Sequence, residues 1–131
     1  MDIDLRIRRF QKDLNGGLIA LVLLAVLERA EEDLYPYEMA RQLAVASADG
    51  SRFSPGSIYP VLRTLARDGL LTSRIVPSYS GPPRRYYRIT AAGRLLLPRW
   101  RQAWQETCGF VDQFVVAPPR RATPGSKDRI A

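Results

Sequence analysis

The chain has 131 residues, 20 of them lysine or arginine against 13 acids, with a net charge of +7 and no histidine; that is enough for one domain, or a small core with an arm, and too little for two cores. The single cysteine, Cys108, excludes an internal disulfide and a cysteine zinc site, and the missing histidine removes the commonest metal ligand and general base together. With no nucleophile beside an evident base and no glycine-rich phosphate loop, nothing in the sequence supports an enzyme, a metal or a cofactor.

From Leu5 to about Ala30 the pattern is helical, and Gly16 and Gly17 mark a weak point or a start for its buried half. The apolar run "LIALVLLAVL", Leu18 to Leu27, is about half of a bilayer span, and no cleavable leader precedes it, so no membrane is expected and the protein reads as soluble and cytoplasmic. "DLYPYEMARQLAVAS" follows as a second helix, with Pro36 at its first position and Met39 and Leu43 on a core stripe. After the polar connection "ADGSRF", Ser54 offers a side-chain cap and Pro55 opens a third helix. Ile58, Leu62 and Leu65 fall on one narrow face of it. Gly56, Tyr59, Pro60, Arg63, Thr64 and Arg67 occupy the flanks and the far side, a surface of donors and cations that admits close approach, until Gly69 ends the helix as a left-handed cap.

After Gly69 the period drops from 3.6 to 2. "LLTSRIV" and "RRYYRI" read as two antiparallel strands joined by "PSYSGPP", with Arg84 and Arg85 where that loop returns and at least one of Tyr86 and Tyr87 in the core. Thr90 caps a last helix that runs to about Val116, on which Leu97, Trp100, Trp104, Cys108, Val111 and Val115 recur every three or four residues. Some 26 helical residues extend about 39 Å, more than the rest of the chain can cover, so this stripe calls for a second copy of the chain. Pro98 lies inside that helix, removes one backbone bond to Arg94 and is expected to kink it. The tail from 117 to 131 is proline-rich and charged and reads as disordered. The resulting division is 1–90 as a winged helix-turn-helix, 91–116 as a dimerisation helix and 117–131 as a tail.

Charge is unevenly spread along this plan. Residues 1–50 carry six bases and nine acids, whereas residues 51–101 carry ten arginines against Asp68 alone. A solvated surface and a polyanion-binding surface both fit such a run; the concentration on the third helix and wing favours nucleic acid, where neutralised phosphates release counterions.

Three helices, a two-stranded wing and a long arm compose a mainly α fold with a small β-wing. "SIYPVLRTLARDGLL" and "GPPRRYYRITAAGRLLL" resemble the PadR family of transcriptional regulators, over roughly residues 16–116 and in its short subgroup with one C-terminal dimerisation helix. The resemblance implies that Ser57, Tyr59 and Arg63, with Tyr37 of the second helix, meet DNA, and that Arg84 and Arg85 serve the wing; Ser54, at the helix entry, is a further candidate for a DNA contact. The residues themselves say the same for Arg63, Arg67 and the wing arginines, which suit phosphates, guanine edges or a narrow minor groove. Tyr59 is open between a DNA contact and a half-buried packing residue; Pro36 stands where the family commonly has glycine, a change that suits a helix start.

Function follows as an expectation: a homodimeric regulator, a repressor, of a palindromic double-stranded DNA operator, released by a small molecule or stress signal. A winged-helix module for RNA or protein contacts is the alternative. By the same resemblance Trp104 takes the place of a tryptophan that stacks planar ligands in multidrug-sensing members, and with Trp100 one turn away it forms either a slot for a planar hydrophobic compound or ordinary core. Cys108 reads as a small core residue, with a redox switch as the alternative.

Overall fold

The computed structural model describes residues 1–47 and 53–116. Its elements follow in the order α1 (Ile3–Arg29), α2 (Pro36–Ala46), α3 (Pro55–Arg67), β1 (Leu71–Val76), β2 (Arg84–Ile89) and α4 (Ala91–Val115). The connection expected at 48–52 and the tail expected at 117–131 lie outside the described residues.

Asp2 caps α1, its carboxylate accepting from the Leu5 N–H at 3.0 Å. The helix then continues through Gly16 and Gly17, which mark the start of its buried half and not a break: the buried stripe Ile19, Leu23, Leu24 and Leu27 begins just after them and holds that half. Over 18 residues α1 has a mean hydropathy of 1.5, within the range of a membrane span and longer than the apolar run alone suggested. Its buried leucines, however, pack inside the protein. Met39 and Ala40 of α2, Ile58, Leu62 and Leu65 of α3, Leu71, Tyr87, Ile89 and Leu97 complete one core with them. Leu23, Leu24, Met39, Ile58, Leu62 and Leu97 are the most completely enclosed, each contributing about 1.5–3 kcal/mol as an upper figure.

Leu97 is therefore a correction. It shares the helical spacing of Trp104 and Val111 but has no exposed surface left for a partner. Periodicity cannot tell the part of a stripe that faces the chain's own core from the part that faces elsewhere. For the same reason one compact unit runs to Arg101, eleven residues past the expected boundary at 90, and a second begins at Gln102. Helix α4 continues unbroken through Pro98.

The entry to α3 differs in detail too. Ser54 occupies the cap position with extended backbone, but its side chain makes no capping bond. The Ser57 hydroxyl donates instead to the Ser54 carbonyl at 2.8 Å, and Ser54 Oγ turns towards Ser57 Oγ at 3.5 Å. At the other end Gly69, at φ +80°, closes a Schellman motif: its N–H donates to the Ala66 carbonyl and the Leu70 N–H to the Leu65 carbonyl.

The turn after α3 also anchors α4. Thr90 donates its N–H to the Leu70 carbonyl at 3.1 Å and its hydroxyl to the Gly69 carbonyl at 2.7 Å, while accepting the Gly93 N–H as the helix cap. Between these ends β1 and β2 pair antiparallel, from Leu71 opposite Ile89 to Val76 opposite Arg84. Leu34, in the link from α1 to α2, adds a third rung by exchanging backbone bonds with Tyr87.

Candidate nucleic-acid interface

The buried face of α3 fixes what its other face presents. With Ile58, Leu62 and Leu65 seated in the core, Ser57, Tyr59, Arg63 and Arg67 are exposed. Arg67 donates to the Thr64 hydroxyl, which in turn donates to the Pro60 carbonyl; the Thr64 side chain thus braces an arginine on the open face.

Arg84 and Arg85, adjacent in sequence, point to opposite sides of the wing, as strand geometry requires. Arg85 shares the side of Tyr87 and Ile89 and donates to Ser73 Oγ at 2.9 Å. Tyr87 is the core tyrosine, and burial raises its phenol above the ordinary value. Arg85 and Arg63 oppose that shift and Tyr59 adds to it. Tyr59 is nearly half exposed, with part of its side chain against the protein and part in solvent.

The outer side of the wing holds a second group. Arg84 lies over the Tyr35 ring at 4.4 Å, Tyr35 stacks with Tyr37 at 6.4 Å between centroids, and the Tyr86 ring meets Tyr35 edge-on at 5.3 Å. A hydrogen bond to Tyr86, and then the field of Tyr35, raise the pKa of Arg84 further, and the guanidinium stays charged at every working pH. Asp33 finishes this side, accepting from Arg74 at 2.9 Å on β1 and from Arg88 at 2.8 Å on β2. Those bonds, Arg88 foremost, hold its carboxyl below the ordinary 3.8.

Sequence reasoning overlooked Asp33, Tyr35, Arg74 and Arg88. The signal was present in "DLY": when Leu34 pairs as a strand residue and faces the core, Asp33 and Tyr35 must both face outward. Read as a lead into α2, those residues gave no reason to expect it. Glu38 does support that helix start, its carboxylate accepting from the Tyr35 N–H.

Trp100 is partly buried against the core, and on the second unit Trp104, Val111 and Val115 are exposed, as are Phe110 and Phe114, whose rings meet at a tilt with 5.3 Å between centroids. Cys108 is half-buried and points at Asp112. Among the described residues no cluster of three potential metal ligands occurs.

The model of the transcriptional regulator PadR-like family matches residues 23–99, which hold every residue of both wing groups and all of α3. The chain belongs to the PadR-like family. It is 48% identical over 62 residues to the transcriptional regulator Rv3488 of Mycobacterium tuberculosis, an alignment covering 46% of this chain and 55% of that protein, so the likeness spans about half of Rv3488. Among solved structures, a PadR family regulator from Eggerthella lenta is similar over 88% of this chain and 96% of its own, with TM-score 0.73 and 27% identity. A PadR-like transcription factor from Bacteroides fragilis is similar over 82% and 99%, with TM-score 0.63 and 26% identity. PadR-like membership agrees with the winged-helix architecture derived above and with transcriptional regulation as the protein's work.

Proposed function

We propose that this PadR-like chain is a homodimeric repressor that binds a palindromic double-stranded DNA operator in the cytoplasm. The observation that carries the reading is the exposed face of α3, where Tyr59, Arg63 and Arg67 lie opposite its buried stripe, together with a wing on which Arg85 is held by Ser73 and Arg84 is braced on Tyr35 beside Tyr37. In that reading α3 enters the major groove, Ser54 and Ser57 approach the backbone at its entry, and the wing arginines take phosphates or the minor groove. The exposed stripe of Trp104, Val111 and Val115, with Cys108 between, is the seam with a second copy, which sets the two recognition helices one or more DNA turns apart. Planar hydrophobic effectors would stack on Trp104 of each protomer, with Trp100 one turn away, and release the operator by favouring a dimer with the wrong spacing.

Selecting bound duplexes from a random pool at several salt concentrations tests this directly. A recovered palindrome whose binding weakens steeply with salt supports it. Recovery of no preferred duplex, with binding to single-stranded RNA or to none, would replace it with a winged-helix interaction module.

A further inference from the structure

Helix α1 overhangs the core at its N-terminal end, and the chemistry of one face changes where it does so. Ile19 is buried under α3; one to three turns earlier, the same face carries Gly16, Lys12 and Arg8. Together with Phe53, Ser54, Ser57 and Val61 from the entry of α3, these residues line an open cleft of about 610 Å³. Arg8 and Lys12 are exposed and one helical turn apart, and none of the ion pairs among the described residues involves either. Asp4, one turn before Arg8, does not pair with it. Of the exposed apolar residues of the overhang, Ile3, Ile7, Phe10 and Leu14 lie about 150° away around the helix and Leu5 falls on the cationic side, so a partner covering the first four leaves Arg8 and Lys12 open.

We propose that Arg8 and Lys12 form a further, sequence-independent DNA contact, holding the phosphate backbone that flanks the groove entered by α3. The inference rests on the DNA-binding reading given above. Two unpaired cations beside the serines at the entry of the recognition helix continue the same charged surface onto a second element. The cleft is open and its cations are solvated, which suits a passing backbone of repeated phosphates more than a compact ligand, for which enclosure and buried donors are needed. The element that buries α3's base through Ile19 thus also extends the footprint beyond the base pairs that α3 can reach.

The test uses the full chain and the selected operator, with Arg8→Ala, Lys12→Ala and the double variant titrated between 50 and 200 mM salt. Each phosphate contact contributes about 0.9 to the logarithmic salt slope. Each single variant removes two contacts per dimer and should therefore shrink the affinity ratio across that range by about 12-fold and the double by about 150-fold, with base preference, melting temperature and sedimentation unchanged. Arg8→Lys should keep the parent slope, and trimming the operator flanks should erase the difference between parent and double variant. A double variant with the parent's slope overturns the proposal while leaving the operator reading intact, as does a loss accompanied by a change of oligomeric state. A parent that binds no duplex at any salt overturns both.

Discussion

Replacing Gly93 with alanine sets two effects of known size against each other. Inside a helix alanine is favoured over glycine by about 0.8–1 kcal/mol. A Cβ at Gly93, however, would meet the Leu70 carbonyl oxygen inside van der Waals distance and lie 2.7 Å from Ile89 Cγ1. That carbonyl is backbone, fixed by the Thr90 N–H it accepts and by the Schellman turn before it, so it cannot yield as a side-chain tip would. Overpacking of this kind costs about 1–3 kcal/mol, and a rigid neighbour places it at the upper end. The net expectation for Gly93→Ala is a loss of about 2 kcal/mol, or roughly 8–16 °C in Tm for a unit of this size. Gly109→Ala is the control in the same helix: nothing lies within 4 Å of its Cβ, and it faces away from Trp104 and Val111, so propensity alone acts and stability should hold or rise by up to about 1 kcal/mol. Thermal unfolding followed by circular dichroism, at one fixed protein concentration, measures both. A Gly93→Ala protein that melts at or above the parent would refute the close approach of α4 to the α3–β1 turn.

Further expectations concern binding and the wing. Arg84→Ala and Arg85→Ala should weaken all duplexes alike and lower the salt slope by about one per protomer each, whereas Arg63→Ala should cost about 1–3 kcal/mol per half-site and relax one base pair in each; binding isotherms on operator and scrambled duplexes separate the two patterns. Asp33→Asn should free both strands of the wing for about 1 kcal/mol, since its arginine partners are largely exposed, and speed amide exchange at Leu34 and Tyr87; unchanged exchange would dismiss the clamp. Because the Asp33 carboxyl is lowered in the fold, its contribution persists at every pH above the ordinary 3.8 and disappears only as pH falls through the lower folded value. Ending the chain after Arg101 should keep a folded body but give a monomer with little operator affinity, and a dimer in sedimentation would move the seam elsewhere. Planar cationic dyes should quench the parent's fluorescence more than that of a Trp104→Ala protein that still dimerises, and equal quenching would make Trp104 ordinary core.

Local chemistry made much of this legible. Pro36, Pro55, Gly69 and Thr90 are punctuation whose meaning depends on neighbouring residues alone, and the elements begin and end beside them. Long-range choices were not legible. Leu97 and Trp104 have the same spacing and character, yet one is enclosed and the other exposed, because only the path of β2 decides where the core stops. Asp33 meets arginines 41 and 55 residues away, and no pattern near "EEDLYP" could point to them. Arg84 and Arg85 are a different case: both were assigned to the wing without a side, although the two-residue period of their own strand already separated them.

The hydrogen bonds of Thr90 to Gly69 and Leu70 tie the chain into a closed ring at the base of the wing. The tip beyond the strands can change length without moving α3 relative to the first turns of α4, since the knot and the buried strand residues Leu71, Tyr87 and Ile89 set that geometry. For the tip at residues 77–83, doubling the length adds only about 0.6 kcal/mol of closure entropy. The tip of the wing is thus an interchangeable attachment: its reach can be redrawn by insertion or deletion while the helix it accompanies stays in register with the first turns of α4.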